Sequence, residues 1–368
     1  MTFRYNTGND ELDADIAKLA ALAMSEGMAD GSGELPHHRD ARDVGLIREM
    51  MTSAVRLGRE DVERGDLKLV SAALKELRYA YSVFAPYRHR RKLSIFGSAR
   101  TKPDNPEYQT ALATGRAIAE RDWMVITGAG PGIMQAGVEG AGIENSFGVG
   151  IQLPFEPSPP EIFEDGARLI NFRYFFTRKV TFMRESDAFV ALPGGFGTMD
   201  EAFELLTLLQ TGKTVMTPLV LLESPGGNYW DGWLNFVQDE LFEDGLISPE
   251  DLRLVKITDS VDEAVEEVCG FFRNYHSMRF VGGRLVLRLQ ELPTAELLTS
   301  LNDEFSHIVT KGRIEVVEES EAESDDVRAA GLPRIGFSFD KASYGRLRML
   351  VDMVNGQTPA APKLPEES

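Results

Sequence analysis

Between Leu93 and Ile257, short apolar runs alternate with longer segments whose apolar positions recur every three or four residues. Uniformly apolar runs of four to seven residues read as strands covered on both faces, and the 3.6-residue period reads as helices lying on a sheet. The runs predict strands at Leu93–Gly97, Met124–Thr127, Phe147–Leu153, Ala167–Asn171, Ala188–Leu192, Leu219–Leu222 and Leu254–Ile257. Helices are predicted near Glu107–Arg121, Gly132–Glu144, Phe175–Ser186, Thr198–Thr211, Trp230–Phe242 and Val261–Tyr275. Amphipathic segments at Asp43–Arg59 and Asp66–Phe84 precede this block, the second stopped by Pro86, with a further helix over Leu12–Met28.

After about residue 278 the pattern changes. A strand at Arg284–Leu289, a helix at Thr294–Thr310, strands at Arg313–Glu318 and Arg334–Asp340 and a helix at Ser343–Val354 spell a βαββα string. The acidic stretch Glu318–Asp326 reads as a loop within it, and the string carries no motif of its own. The whole predicts an α/β protein with a doubly wound, Rossmann-like, mostly parallel sheet, an N-terminal helical extension and a small C-terminal α+β domain. The expected segments are residues 1–87, 88–277 and 278–355, then a disordered tail at 356–368. Ligands of such sheets sit at the carboxyl ends of the strands.

Composition narrows the partners. A net charge of -19 over 368 residues argues against a nucleic-acid or anionic-membrane surface. The lone Cys269 excludes an internal disulfide framework and a cysteine-cluster metal site. Adjacent His37 and His38 point apart and have no third ligand nearby, so no metal is expected. No apolar run reaches membrane-spanning length and the polar N-terminus is no signal peptide, so a cytoplasmic protein is expected.

Three glycine-bearing turns follow predicted strands. Gly97-Ser98-Ala99-Arg100 follows the first, and Gly128-Ala-Gly130-Pro-Gly132-Ile-Met134 follows the second. The latter is no dinucleotide fingerprint: Ile133 stands where its third glycine belongs, and no acidic residue ends the next strand. Pro193-Gly194-Gly195-Phe196-Gly197 follows the fifth, and Thr198 opens a helix with apolar positions Phe203, Leu205, Leu206, Leu208 and Leu209. A strand, a glycine turn and a helix N-terminus make an anion site, so this stretch reads as a phosphate cradle with Glu201 one turn inside the helix. Thr198-Met-Asp-Glu201 also reads as a capping box, in which the two side chains satisfy backbone donors. Upstream, Arg178 and Lys179 begin the helix that leads into the fifth strand, where both are able to face the same crevice.

An Arg-Lys pair on a helix followed, across one strand, by Pro-Gly-Gly-x-Gly-Thr-x-x-Glu resembles the signature of the Lonely Guy (LOG) family of nucleotide phosphoribohydrolases. Here it stands as Arg178-Lys179 and Pro193–Glu201, with Met183 in its expected place. The Gly97-Ser98 and Gly128–Met134 turns match the family's two earlier glycine segments, and the resemblance covers roughly residues 90 to 275. The family's Met-His before x-Arg-Lys is Phe175-Phe176 here, and Leu208 replaces a Trp while Gln210 remains.

The resemblance implies hydrolysis of the N-glycosidic bond of a nucleoside 5′-monophosphate, AMP-like or a cytokinin riboside 5′-monophosphate, to free base and ribose 5-phosphate. It implies Glu201 and Arg178 as catalytic residues. Gly97, Ser98, Gly130, Gly132, Met134, Lys179, Gly194, Gly195, Gly197 and Thr198 are implied as substrate and phosphate contacts. It implies a homodimer or larger and no cofactor. Helix α-dipole reasoning predicts that Glu201 stays ionised. The family's frequent lysine decarboxylase label requires a lysine Schiff base to pyridoxal phosphate, for which only Lys179 is a candidate. The competing reading is a non-catalytic nucleotide or cofactor carrier or sensor on the same fold.

Overall fold

The computed structural model describes residues 6–25, 41–152 and 168–357. Predicted features outside them are the end of the first helix beyond Ser25, His37 and His38, Leu153, Ala167 and residues 358–368 of the tail. The chain forms two compact units, residues 1–75 and 76–368. The first holds α1 (Asp10–Ser25), α2 (Ala41–Arg59) and the start of α3 (Arg64–Phe84). Asn9 caps α1, its side chain accepting the Leu12 N–H at 3.0 Å.

In the second unit, seven strands form one sheet: β1 (Lys92–Phe96), β2 (Met124–Thr127), β3 (Ser146–Ile151), β4 (Leu169–Phe172), β5 (Ala188–Ala191), β6 (Leu219–Leu222) and β7 (Val255–Thr258). Their order is β4-β3-β2-β1-β5-β6-β7, and every neighbouring pair is parallel. The chain winds outward from β1 to β4, crosses back to β5 and winds outward the other way. Adjacent strands β1 and β5 therefore lead into helices on opposite faces, and a crevice opens beyond their carboxyl ends.

Alternation along each strand feeds two apolar layers. Leu93, Ile95, Val125, Val190, Leu192, Val220 and Leu222 meet α4 (Pro106–Ala119), α5 (Ile133–Ala141) and α9 (Val261–Gly270) on one face. Phe96, Met124, Ile126, Phe147, Phe189 and Leu221 meet α6 (Phe175–Glu185), α7 (Phe196–Gln210) and α8 (Tyr229–Phe236) on the other. Each such side chain contributes roughly 1.5–3 kcal/mol by leaving water. Removing a fully buried ring, as in Phe189→Ala, is expected to cost about 3–5 kcal/mol.

The seven strands lie within two residues of their predicted ends wherever those ends are described. The C-terminal region differs more. Helix α9 stops at Gly270, and Tyr275–Val281 is a strand, β8, where a helix was expected to continue to Tyr275. Phe271, Phe272 and Tyr275 instead gather as stacked and edge-on rings, with 5.2 Å between the Phe271 and Tyr275 centroids. A hairpin through Gly282 and Gly283, at φ +57° and +85°, joins β8 to β9 (Arg284–Leu289). Two left-handed residues in a two-residue loop suit the twist of the flanking strands, and glycine adopts them without strain. With α10 (Ala295–Phe305), β10 (Val309–Val316), β11 (Arg334–Phe339) and α11 (Tyr344–Val354), the string is ββαββα, not βαββα.

This second sheet is antiparallel, in the order β10-β11-β9-β8. Its Leu285, Leu287 and Phe337 join the apolar layer that contains Phe189 and Trp230. The acidic stretch before β11 holds short 3-10 turns, and one of its carboxylates turns inward. Glu323, 1% exposed, accepts from Arg288 at 2.8 Å and from Arg334 at 3.4 Å.

Candidate active site

Three turns meet above the β1–β5 crevice, and Ser98 ties them together. Its N–H donates to the Pro193 carbonyl at 3.1 Å, and its own carbonyl accepts from the Ile133 N–H at 3.1 Å. The glycines of the second turn serve close packing. A Cβ at Gly128 would strike the Arg178 guanidinium and the Met134 sulfur, one at Gly130 would strike Met134 Cε, and one at Gly132 would strike the Ser98 carbonyl. Gly132 also sits at φ +68°, where a side chain is strained.

The third turn is built differently. A Cβ at Gly194 would overlap the Thr198 hydroxyl, but at Gly195 and Gly197 nothing lies within 4 Å of where one would stand. Helix α7 begins at Phe196 with Gly195 as its N-cap, so no side chain occupies the cap. Thr198 is therefore the third residue inside the helix, and the capping-box reading of Thr198 and Glu201 fails. First-turn N–H groups of a helix lacking a side-chain cap are available to an anion approaching over Gly195 and Gly197.

Helix α6 supplies the cation. Arg178 Nε donates to the Val149 carbonyl within β3 at 2.9 Å, and its guanidinium lies against Gly128 and over the Phe182 ring. Successive helix residues point about 100° apart, and Lys179 accordingly faces α7. Its amine pairs with Asp200 at 2.8 Å and with Glu204. Burial works against that ammonium, but its hydrogen bonds to Asp200 and Glu204 outweigh it and hold the group above its ordinary range.

Glu201 lies 5% exposed, with Oε2 unpartnered among the described residues. Burial raises its pKa from 4.5 to about 7, opposed by Lys179 and Arg178 and assisted by Asp200 and Glu204. This corrects the expectation that the helix N-terminus keeps Glu201 ionised: the helix field is strongest in the first turn, whereas Glu201 is the sixth helical residue and is shielded from water. A carboxyl that titrates near neutrality, keeps one oxygen unpartnered and feels the charges of Lys179 and Arg178 is equipped to exchange a proton or to meet developing positive charge.

Tyr229 and Glu223 escaped the sequence reading. The Tyr229 hydroxyl donates to the Gly194 carbonyl at 2.5 Å, while its N–H donates to the buried Glu223 carboxylate at 2.7 Å. Together they brace the third turn from the β6–α8 loop. The available signal was the Gly226-Gly227-Asn228 turn ahead of Tyr229, again at a strand's carboxyl end. Among the described residues, no group of three or more His, Cys, Asp or Glu side chains is arranged to hold a metal ion, and no helix is long and apolar enough to cross a membrane.

Residues 129–268 match the family model described as "Possible lysine decarboxylase". The cytokinin riboside 5′-monophosphate phosphoribohydrolase LOG7 of Arabidopsis thaliana is 30% identical over 187 residues, covering 49% of this chain and 82% of that protein. The chain belongs to the LOG family. The cytokinin riboside 5′-monophosphate phosphoribohydrolase of Mycobacterium tuberculosis (strain ATCC 25618 / H37Rv) is 33% identical over 162 residues, 43% of this chain and 82% of that one. The match to the probable LOG enzyme LOGL3 of Oryza sativa subsp. japonica is 37% identical over 91 residues but spans only 41% of it. Among solved structures, the molybdenum cofactor binding protein of Rippkaea orientalis is 20% identical over 48% of this chain and 94% of that one, at a TM-score of 0.34. The LOG-type residues Arg178, Lys179 and Pro193–Glu201 all fall inside the matched segment.

Proposed function

We propose that this LOG-family chain hydrolyses the N-glycosidic bond of a nucleoside 5′-monophosphate, with an AMP-like compound or a cytokinin riboside 5′-monophosphate as substrate. The observation that carries the reading is the buried carboxyl of Glu201, its Oε2 unpartnered among the described residues, behind an open glycine turn at the sheet's switch point. The 5′-phosphate sits over Gly194, Gly195 and Gly197 at the head of α7, with the Gly97-Ser98 turn alongside, and this contact places the ribose. As the C1′–N bond breaks, positive charge grows on C1′ and the ring oxygen. Ionised Glu201 faces that charge and takes a proton from the attacking water. Water's oxygen ends on C1′, one of its hydrogens stays with it, and the departing base takes up a proton in exchange for the one lost. Arg178 supports the sugar phosphate from across the crevice.

The decarboxylase label fits the residues poorly. A Schiff-base lysine needs a depressed pKa, whereas Lys179 is held protonated between two carboxylates. The deciding experiment incubates the protein with a panel of nucleoside monophosphates and separates free base chromatographically. Release of base and ribose 5-phosphate from at least one is expected. Tight binding with no release would overturn hydrolysis and leave a carrier or sensor. The reading includes a homodimer: Phe175, Phe176 and Val180 on α6 and Phe196 on α7 are exposed apolar side chains. A monomeric mass by light scattering at micromolar concentration would remove that part.

A further inference from the structure

Helix α6 carries Arg178, yet its own sequence does not cap it. Its N-cap, Tyr174, makes no side-chain cap hydrogen bond. The entry to the helix is instead tied to Glu76 on α3, about a hundred residues earlier. Glu76 Oε1 accepts the Arg173 N–H at 3.0 Å, and Oε2 accepts the Thr177 hydroxyl at 2.6 Å. That hydroxyl also lies 2.9 Å from the Tyr174 carbonyl, and Thr177 is fully buried. The carboxylate thus bridges the residue before the N-cap and the third residue of the helix, and its charge suits the positive end of the helix.

The support beneath Glu76 is rigid. Ala80 and Phe84, four and eight residues further along α3 and so on the same face, are buried in the core, and the Phe84 ring stacks on Phe147 at 4.3 Å. Phe147 belongs to β3, the strand whose Val149 carbonyl receives Arg178 Nε. Arg178 is thus held from two sides: its guanidinium by β3, and its backbone, through neighbouring Thr177, by Glu76.

We propose that Glu76 is a positioning residue, whose carboxylate sets the first turn of α6 and with it the placement of Arg178 in the site. The proposal rests on the site role given to Arg178 above. Without Glu76, Thr177 keeps only its local acceptor and the Arg173 N–H loses its partner, so the turn is free to shift. Displacements of about 1 Å at a catalytic group are enough to cost on the order of ten- to a hundredfold.

The test is a double-mutant cycle in the full chain, using the monophosphate turned over fastest. Glu76→Ala is expected to lower kcat/KM about tenfold. Glu76→Gln, which retains an acceptor and the side-chain shape, should recover to within about threefold. In an Arg178→Ala background, Glu76→Ala should add less than about a twofold loss, because the two act as one unit. An equal loss in both backgrounds, or no loss beside intact Arg178, would overturn the proposal. If Glu76→Ala does not fold, Thr177→Val takes its place in the same cycle. If the parent protein releases no base from any monophosphate, the hydrolase reading fails by itself. The cycle is then read on AMP affinity by calorimetry, where a loss of about tenfold confined to chains that retain Arg178 supports positioning and an equal loss in both overturns it.

Discussion

After β2 the chain turns on Gly128, Gly130 and Gly132; after β5 it turns on Gly194, Gly195 and Gly197. In the first turn every glycine is spoken for, since an added Cβ would meet Arg178, Met134 or the Ser98 carbonyl. In the second, Gly194 is enclosed by Thr198, but Gly195 and Gly197 are exposed over open space. Glycine in the first turn lets protein approach protein. At Gly195 the backbone is extended, with φ -92° and ψ -156°, a conformation any residue adopts, so no local strain calls for glycine there. The open backbone there leaves room for the proposed phosphate, and Glu201 lies one turn below that opening.

The largest expected effect is therefore at Glu201. Glu201→Gln keeps the shape and, with no capping box to lose, keeps the fold. It removes the charge proposed to meet the oxocarbenium, so kcat should fall on the order of a hundredfold or more while AMP affinity changes little. Turnover by chromatography and affinity by calorimetry check this, and near-normal turnover in a folded variant removes the mechanism.

Next in size is the phosphate. If the open turn is an anion site, binding energy realised there positions the ribose, and a nucleoside lacking the phosphate forfeits it. The expected kcat/KM for adenosine is lower than for AMP by on the order of a hundredfold. Comparable values would reassign the turn.

Substituting the glycines distinguishes the two turns directly. Gly132→Ala forces a side chain into the left-handed region and against the Ser98 carbonyl, at a cost of roughly 1–3 kcal/mol, and should lower Tm by several degrees. Gly195→Ala should leave Tm nearly unchanged and instead raise KM for the monophosphate. If the two variants behaved alike, the division between packing and access glycines would not hold.

The parallel sheet was legible because strands covered on both faces leave a continuous apolar signature, visible at Ala188–Ala191 and Leu219–Leu222 even in four residues. Strand β8 was not. The apolar spacing of α9 runs on into Phe271, Phe272 and Tyr275, and only the Gly282-Gly283 pair marks the hairpin behind it. The motif placed Glu201 on the helix after β5 but not its protonation, because position on a helix is written in sequence and loss of solvent is not. Nor does adjacency reveal direction in space: Arg178 leans on β3 while Lys179 is engaged by Asp200 and Glu204. The support from Glu76 has no local trace, since donor and acceptor stand about a hundred residues apart.

A last expected effect is on the pH dependence of stability, and it isolates the burial of Glu201 from its chemistry. The folded chain holds the Glu201 proton up to about pH 7, whereas the unfolded chain releases it near the ordinary value of 4.5. Between those values the folded state binds the extra proton, so stability from this group is fully present below pH 4.5 and is lost as pH rises through 7. The full swing is on the order of 3 kcal/mol at most, since each pKa unit corresponds to about 1.4 kcal/mol. Gln carries no such titration. Carboxylates remote from position 201 contribute equally in both proteins and cancel, so the Tm of Glu201→Gln minus that of the parent should grow by several degrees between pH 5 and pH 8. The same ionisation should appear in the parent's activity as a kcat/KM that rises through about pH 7, the pKa of the free protein's base. A Tm difference that stays flat with pH would mean that Glu201 is ionised throughout, with water reaching the carboxyl through the open glycine turn.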